Sequence, residues 1–254
     1  MRPDSLTAAV DLKRPIQQWT RGWMLTKATD DKGVELGLRS GRQFWICGRA
    51  GVLGDADAAV AASALAFIDP DEVRELWESL PPHLPPRAVA AAYAERIFEW
   101  GDRELPRFGD DTLERLDDLS RHVIDAAPCS LGALFAGWRA MPVPATLGAR
   151  VALTMHVMRE MRGAAHIVAI TATGLSPLQA VLASPAPPPR TGPEWAEHLG
   201  WRGPFEDPAL YRAQRDASED LTNEILARYF DVLSVHDLAD FSRLLAGTRD
   251  AIDM

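Results

Sequence analysis

Residues 147–174 read LGARVALTMHVMREMRGAAHIVAITATG and hold ionisable groups in the middle of the most apolar part of the chain. Advancing about 100° per residue from Ala152, a helix here places Ala152, His156, Arg159, Glu160 and Gly163 within one stripe about 100° wide. From Ala152 through Met161 every other position is apolar apart from Thr154. A surface helix shows a narrower apolar arc than this, so the spacing predicts a helix covered on most sides, with its charged stripe facing a cavity. The following AAHIVAITA carries no charge and holds His166 among Ile167, Val168 and Ile170, which predicts a buried histidine.

The flanking sequence reads as helices throughout. Two are expected over 15–29 and 34–49, with Trp19, Trp23 and Leu25, then Leu36, Leu38, Phe44, Trp45 and Ile46, as apolar positions. Asp30 to Gly33 form the expected turn between them. After the break at 49–54, Asp55 is expected to cap the next helix. Asp69, Pro70, Asp71 and Glu72 combine a cap, a proline at the first helical position and acids in the first turn. A long helix follows Pro86, and Leu113, Leu116, Leu119 and Val123 mark an amphipathic one. A short helix ends at the prolines of 142–144, and Ser176 with Pro177 repeats the cap-plus-proline start. A further long helix is expected over about 207–232, and Ser234 with Asp237 opens a final one. No alternating strand pattern or hairpin dipeptide is present, so the expected class is all-α.

SPAPPPRTGP at 184–193 is the strongest linker signal, since adjacent prolines favour extended geometry over helix. The expected organisation is therefore a helical domain over 1–183, a linker over 184–193 and a C-terminal helical segment over 194–254.

Composition bounds the function. The chain has 254 residues, 47% hydrophobic and 25% charged, enough to bury a full core. Its net charge is -9, the wrong sign for a protein that releases counterions from phosphate, so no specific nucleic-acid binding is expected. No apolar run of 18 residues escapes interruption by charge, so no membrane span is expected. Only Cys47 and Cys129 are present, far apart, and no secretory leader is read at the start, which points to the cytoplasm.

Three runs carry a family resemblance: GLRSGRQFWICGRAGVLGDADAAVAASALAFIDPDEV, then LFAGWRAMPVP, then MREMRGAAHIVAITATGL. They resemble an actinobacterial family of helical proteins usually labelled helix-turn-helix, whose members show a GRAAPLG turn, a WRALPWP-like turn and an LREHRGDGH-like segment. The resemblance covers residues 34–183 best and implies helix-turn-helix or winged-helix-like halves joined by the proline-rich linker. It also implies a transcriptional regulator. Two features depart from the pattern: an acidic residue is missing from Met161–His166, and WRGPFEDPALYRAQ stands where the family has a wing.

The candidate chemistry lies on the central stretch. His156 and Glu160, four apart, have a spacing that serves metal ligands, with His166 a third, although a helix-surface pair is the commoner use of that spacing. Arg139, Arg159 and Arg162 with Glu160 suit an anion pocket, or else an ion-pair network that fastens helices. His156, Glu160 and His166 are the candidates for proton transfer. Trp138 and Arg139 are expected to close the pocket, and its expected guest is an anionic small molecule. No Walker loop, GxGxxG, HExxH or GxSxG occurs, so neither cofactor nor metal is expected. The readings left in competition are a small-molecule enzyme or binder of specialised metabolism, a winged-helix regulator, and a helical subunit that docks a protein partner or a second copy.

Overall fold

The computed structural model describes residues 2–24, 26–185, 187 and 190–252, and of 249–252 the backbone only. Leu25 and three members of the proline-rich stretch, 186, 188 and 189, lie outside the described residues. The order of helices is α1 (Pro3–Asp11), α2 (Lys13–Met24), α3 (Lys27–Glu35), α4 (Gly41–Ala50), α5 (Ala58–Ala64), α6 (Pro70–Glu78), α7 (Pro86–Glu104), α8 (Asp110–Ala126), α9 (Ala133–Arg139), α10 (Leu147–Ala172), α11 (Pro177–Ala183), α12 (Gly192–His198), α13 (Arg212–Phe230) and α14 (Val235–Ile252). No strand occurs among the described residues, as the all-α reading requires.

Starts written in the sequence act as caps. Asp69 accepts from the amides of Asp71 and Glu72, both at 3.0 Å. Ser176 and Gln179 form a reciprocal capping box, and so do Thr191 and Glu194. Corrections fall where glycine was read as punctuation. Asp30 to Gly33 lie inside α3, because Thr26 caps that helix and Gly37, at φ 84°, ends it. Gly33 serves packing instead: a Cβ there would stand 2.5 Å from that of Phe44. The cap of α5 position is Asp57, not Asp55, and it makes no side-chain cap bond. The helix over 3–11 lies outside the expected set.

The predicted central helix is α10, 26 residues long, surrounded by α2, α7, α8, α9 and α13. Every residue from Val151 to Met158 is buried, so its apolar arc spans the full circumference there. α7 crosses it at a glycine pair. A Cβ on Gly101 would stand 2.5 Å from the Gly148 carbonyl oxygen, and one on Gly148 would stand 2.6 Å from that of Gly101. The two backbones therefore touch, and only glycine fits on either side.

Helices on both sides of the proline-rich stretch share buried contacts. α13 packs on α10 and α1, and α14 packs on α1, α2 and α8. One cluster of buried side chains runs from Ala8 through Met155 and Met161 to Phe230 and Leu245. The reason lies in α1 and α2, which pair with the C-terminal helices and so close the chain on itself. Trp201 adds a further tie by donating its Nε1–H to the Phe67 carbonyl at 3.0 Å. No single helix among the described residues is long and apolar enough to cross a membrane; α10 and α11 meet that length and composition only taken together, as a pair bent by 104°.

Candidate functional site

The ionisable groups of α10 point inward but split between two clusters: the stripe of His156, Arg159 and Glu160 forms one, and Arg162 and His166 the other. In the first, Glu160 is 3% exposed and accepts a two-pronged bond from Arg49 of α4, Nε to Oε1 at 3.1 Å and Nη2 to Oε2 at 3.0 Å. Arg159 Nη1 adds a bond to Oε1 at 2.7 Å. His156, one turn earlier, is fully buried with Nε2 3.8 Å from the same oxygen. Three aromatic rings enclose the imidazole edge-on: Trp138 at 4.3 Å between centroids, Trp23 at 5.3 Å and Tyr93 at 6.3 Å. Trp138 is fixed by its Nε1–H, which donates to the Arg49 carbonyl at 3.0 Å. Arg49 also lies over the Trp45 ring at 5.8 Å.

The electrostatics follow from burial. Desolvation alone would raise the Glu160 carboxyl, but Arg49 and Arg159 outweigh it and hold the group at about 2. Burial also opposes the charge on Arg49, which Glu160 more than restores. Burial and then the neighbouring Arg49 bring Arg159 down to about 10, so it stays charged at neutral pH. His156 is pushed down to about 3 by desolvation and is neutral. Tyr93 is raised by burial and sits within electrostatic reach of Arg49, Arg159 and Glu160. Neither ring nitrogen of His156 nor the Tyr93 hydroxyl has a hydrogen-bond partner in the protein. With two guanidiniums, one carboxylate and a neutral imidazole, the cluster carries one positive charge in excess. Its outlet is Arg159, whose side chain is 24% exposed.

The second cluster ties α10 to α13 and α2. Arg162 donates to Glu219 at 2.7 Å and to the Asn223 side-chain oxygen at 3.1 Å. Lys13 Nζ reaches the same Glu219 oxygen at 2.5 Å, and Arg215 Nη2 lies 3.7 Å from the other. His166 pairs Nδ1 with the Thr222 hydroxyl at 2.9 Å and stacks on Phe67. Burial lowers this histidine to about 4.

Arg139 belongs to neither cluster, a correction to its expected place at the pocket. Its guanidinium donates to the Ala127 carbonyl at 2.6 Å, satisfying the end of α8, and pairs with Asp125 at 3.2 Å. Glu160 has both oxygens engaged by arginine and its carboxyl held down at about 2, the setting of a fixed anion. His156 and His166 stand in different clusters, so the three-ligand arrangement does not form. No group of three His, Cys, Asp or Glu side chains converges on a point among the described residues.

Sequence reading missed Arg49, Tyr93, Lys13 and Glu219. For Arg49 a signal exists: it lies in FWICGRA, another apolar run interrupted by one charge. For Glu219, in the polar RAQRDASEDL, no local signal separates it from its solvated neighbours.

Compared with known proteins, residues 8–253 match the profile of a helix-turn-helix family. No curated protein and no solved structure matches the chain.

Proposed function

We propose that this chain, which belongs to the helix-turn-helix family just described, is a small-molecule-binding protein that receives an anion at Arg159, at the outlet of the Arg49–Glu160–His156 cluster. The observation that carries the reading is the cluster's uncompensated positive charge inside a chain of net charge -9. A guanidinium with free donors suits a carboxylate, sulfate or phosphate. Behind it, the neutral imidazole of His156 offers one donor and one acceptor, and the Tyr93 hydroxyl offers another of each. A site with an apolar wall and a few convergent polar groups is the usual form of a ligand site. If the bound molecule reacts, its negative charge would offset the desolvation that holds His156 at about 3 and let that imidazole take up a proton, whereas Glu160 stays committed to its arginines.

The family label favours a second reading, a DNA-binding regulator. Against it stand the acidic charge and the segment at 201–211, which forms a loop and a short 3-10 turn, Pro208–Tyr211, in place of a wing. One pair of measurements separates them. Inorganic phosphate, sulfate or acetate should raise the melting temperature of the native chain in a concentration-dependent way, and Arg159→Met should fold but lose that rise. No response to any anion, or sequence-specific DNA binding that survives physiological salt, would overturn the proposal.

A further inference from the structure

Arg159 stands at the head of a notch in the surface of α10. Among the described residues its guanidinium uses only Nη1, on Glu160, which leaves Nε and Nη2 as donors. One turn further on and about 40° round the helix, Gly163 is partly exposed, and a Cβ there would meet nothing within 4 Å. On a helix buried at every residue from Val151 to Met158, this is an empty side-chain position. Ile167, also partly exposed, follows after another turn on the same line. Neighbouring elements close on α10 at both flanks. About 60° to one side of Gly163, His166 carries the Phe67 ring, stacked at 5.3 Å between centroids and steadied by the Trp201 bond to the Phe67 carbonyl. About 100° to the other side, Ala164 meets the start of α9 so closely that a Cβ on Gly132 would stand 2.5 Å from its own. What lies between is a strip of helix two turns long, about 12 Å, floored by glycine and isoleucine, with a guanidinium at one end.

We propose that the anion received at Arg159 is an aryl carboxylate, its carboxylate on the free guanidinium donors and its ring lying over Gly163 between Phe67 and the start of α9. The inference rests on the anion reading at Arg159 and names the ligand class for that same site. A bare inorganic anion would leave the apolar strip wet, and a neutral aromatic would leave the guanidinium donors to water. The rise from Arg159 to Gly163, about 6 Å, suits a single ring joined directly to its carboxylate. Glycine at this position lets a flat ring approach the helix backbone itself, which any side chain would prevent.

Titration calorimetry of the full chain with acetate, benzoate and benzyl alcohol tests it. Benzoate should bind about tenfold more tightly than acetate, the gain from withdrawing roughly 60 Å² of ring from water. It should exceed benzyl alcohol by about tenfold as well, since the alcohol brings no charge to the guanidinium. Gly163→Leu, which fills the notch, should bring benzoate down to the level of acetate. Should that variant fail to fold, Gly163→Ala, whose methyl group meets nothing in the free protein, should still lower the ratio of benzoate to acetate affinity. Arg159→Met should abolish the binding of both anions. Equal affinity for acetate and benzoate, both lost in Arg159→Met, would overturn this inference and leave the anion reading standing. Benzyl alcohol as tight as benzoate, or benzoate unaffected by filling Gly163, would also overturn it. No response to either anion would sink the reading at Arg159 and this inference with it.

Discussion

Arg49 and Glu160 lie 111 residues apart in sequence, yet they meet as a two-pronged ion pair inside the protein, at 3.1 and 3.0 Å. The pair fastens α4 to α10 at the level of His156. Removing one partner leaves the other charged and without its main bonds in a medium that solvates it poorly. Arg49→Ala should therefore cost about 3–5 kcal/mol, read as a lower urea midpoint. A double change, Arg49→Met with Glu160→Leu, should cost less than either single change. A loss in the double variant equal to the sum of the two single losses would show that the pair itself contributes little.

Acid should unfold this protein in two stages. His156 falls from an ordinary 6.5 to about 3 on folding, so the unfolded chain binds the extra proton and stability declines from about pH 6.5 downward. Glu160 falls from 4.5 to about 2; its contribution is complete above pH 4.5 and is lost as the pH drops towards 2. Each pH unit over which one group differs is worth about 1.4 kcal/mol. Urea midpoints measured between pH 7 and 4.5 should fall in the native chain. Because burial also lowers His166, to about 4, replacing His156 with Phe should reduce the slope of that segment to about half and keep the steeper loss below pH 4.5; an unchanged slope would count against the buried, neutral histidine.

Two glycines of α10 should respond in opposite directions. Gly148→Ala sets a methyl group against the Gly101 carbonyl, backbone that cannot move aside, and should cost about 2–3 kcal/mol. Gly163→Ala meets nothing within 4 Å and should gain up to about 1 kcal/mol from helix propensity. Thermal melts of the two variants give the comparison directly.

Arg139→Ala removes a cap on the α8 carboxyl end and one half-exposed ion pair. The expected loss is about 1 kcal/mol or less, with any anion response of the native chain retained. A lost anion response would return Arg139 to the site.

The all-helical architecture and the burial of α10 are legible in the sequence because both rest on local periodicity and on charge set within apolar runs. His156, Glu160 and Arg162 were picked out by the same contrast. Their partners were not, since Tyr93, Lys13 and Glu219 meet them only through the packing of distant helices. The single pocket expected from five neighbouring polar groups dissolves for a geometric reason. Glu160 and Arg162 are about 160° apart around the helix, so one turns to α4 and the other to α13. What the C-terminal helices pack on is not legible locally either: a run of prolines speaks of its own stiffness, whereas the shared core is decided by what α1 and α2 pair with.

The two ionic attachments of α10 also act together on a different property, the uniqueness of assembly. Slipping α10 by one residue rotates its side chains by about 100°, which would turn Glu160 away from Arg49 and Arg162 away from Glu219 at once. Because the rest of the helix is apolar nearly all round, hydrophobic contacts alone would accept several such rotations with little preference. Two charge pairs aimed in different directions, with the glycine crossing as a third point, leave one rotation and one height that satisfy all of them. The polar groups of this helix thus serve as a combination lock for an otherwise featureless apolar rod.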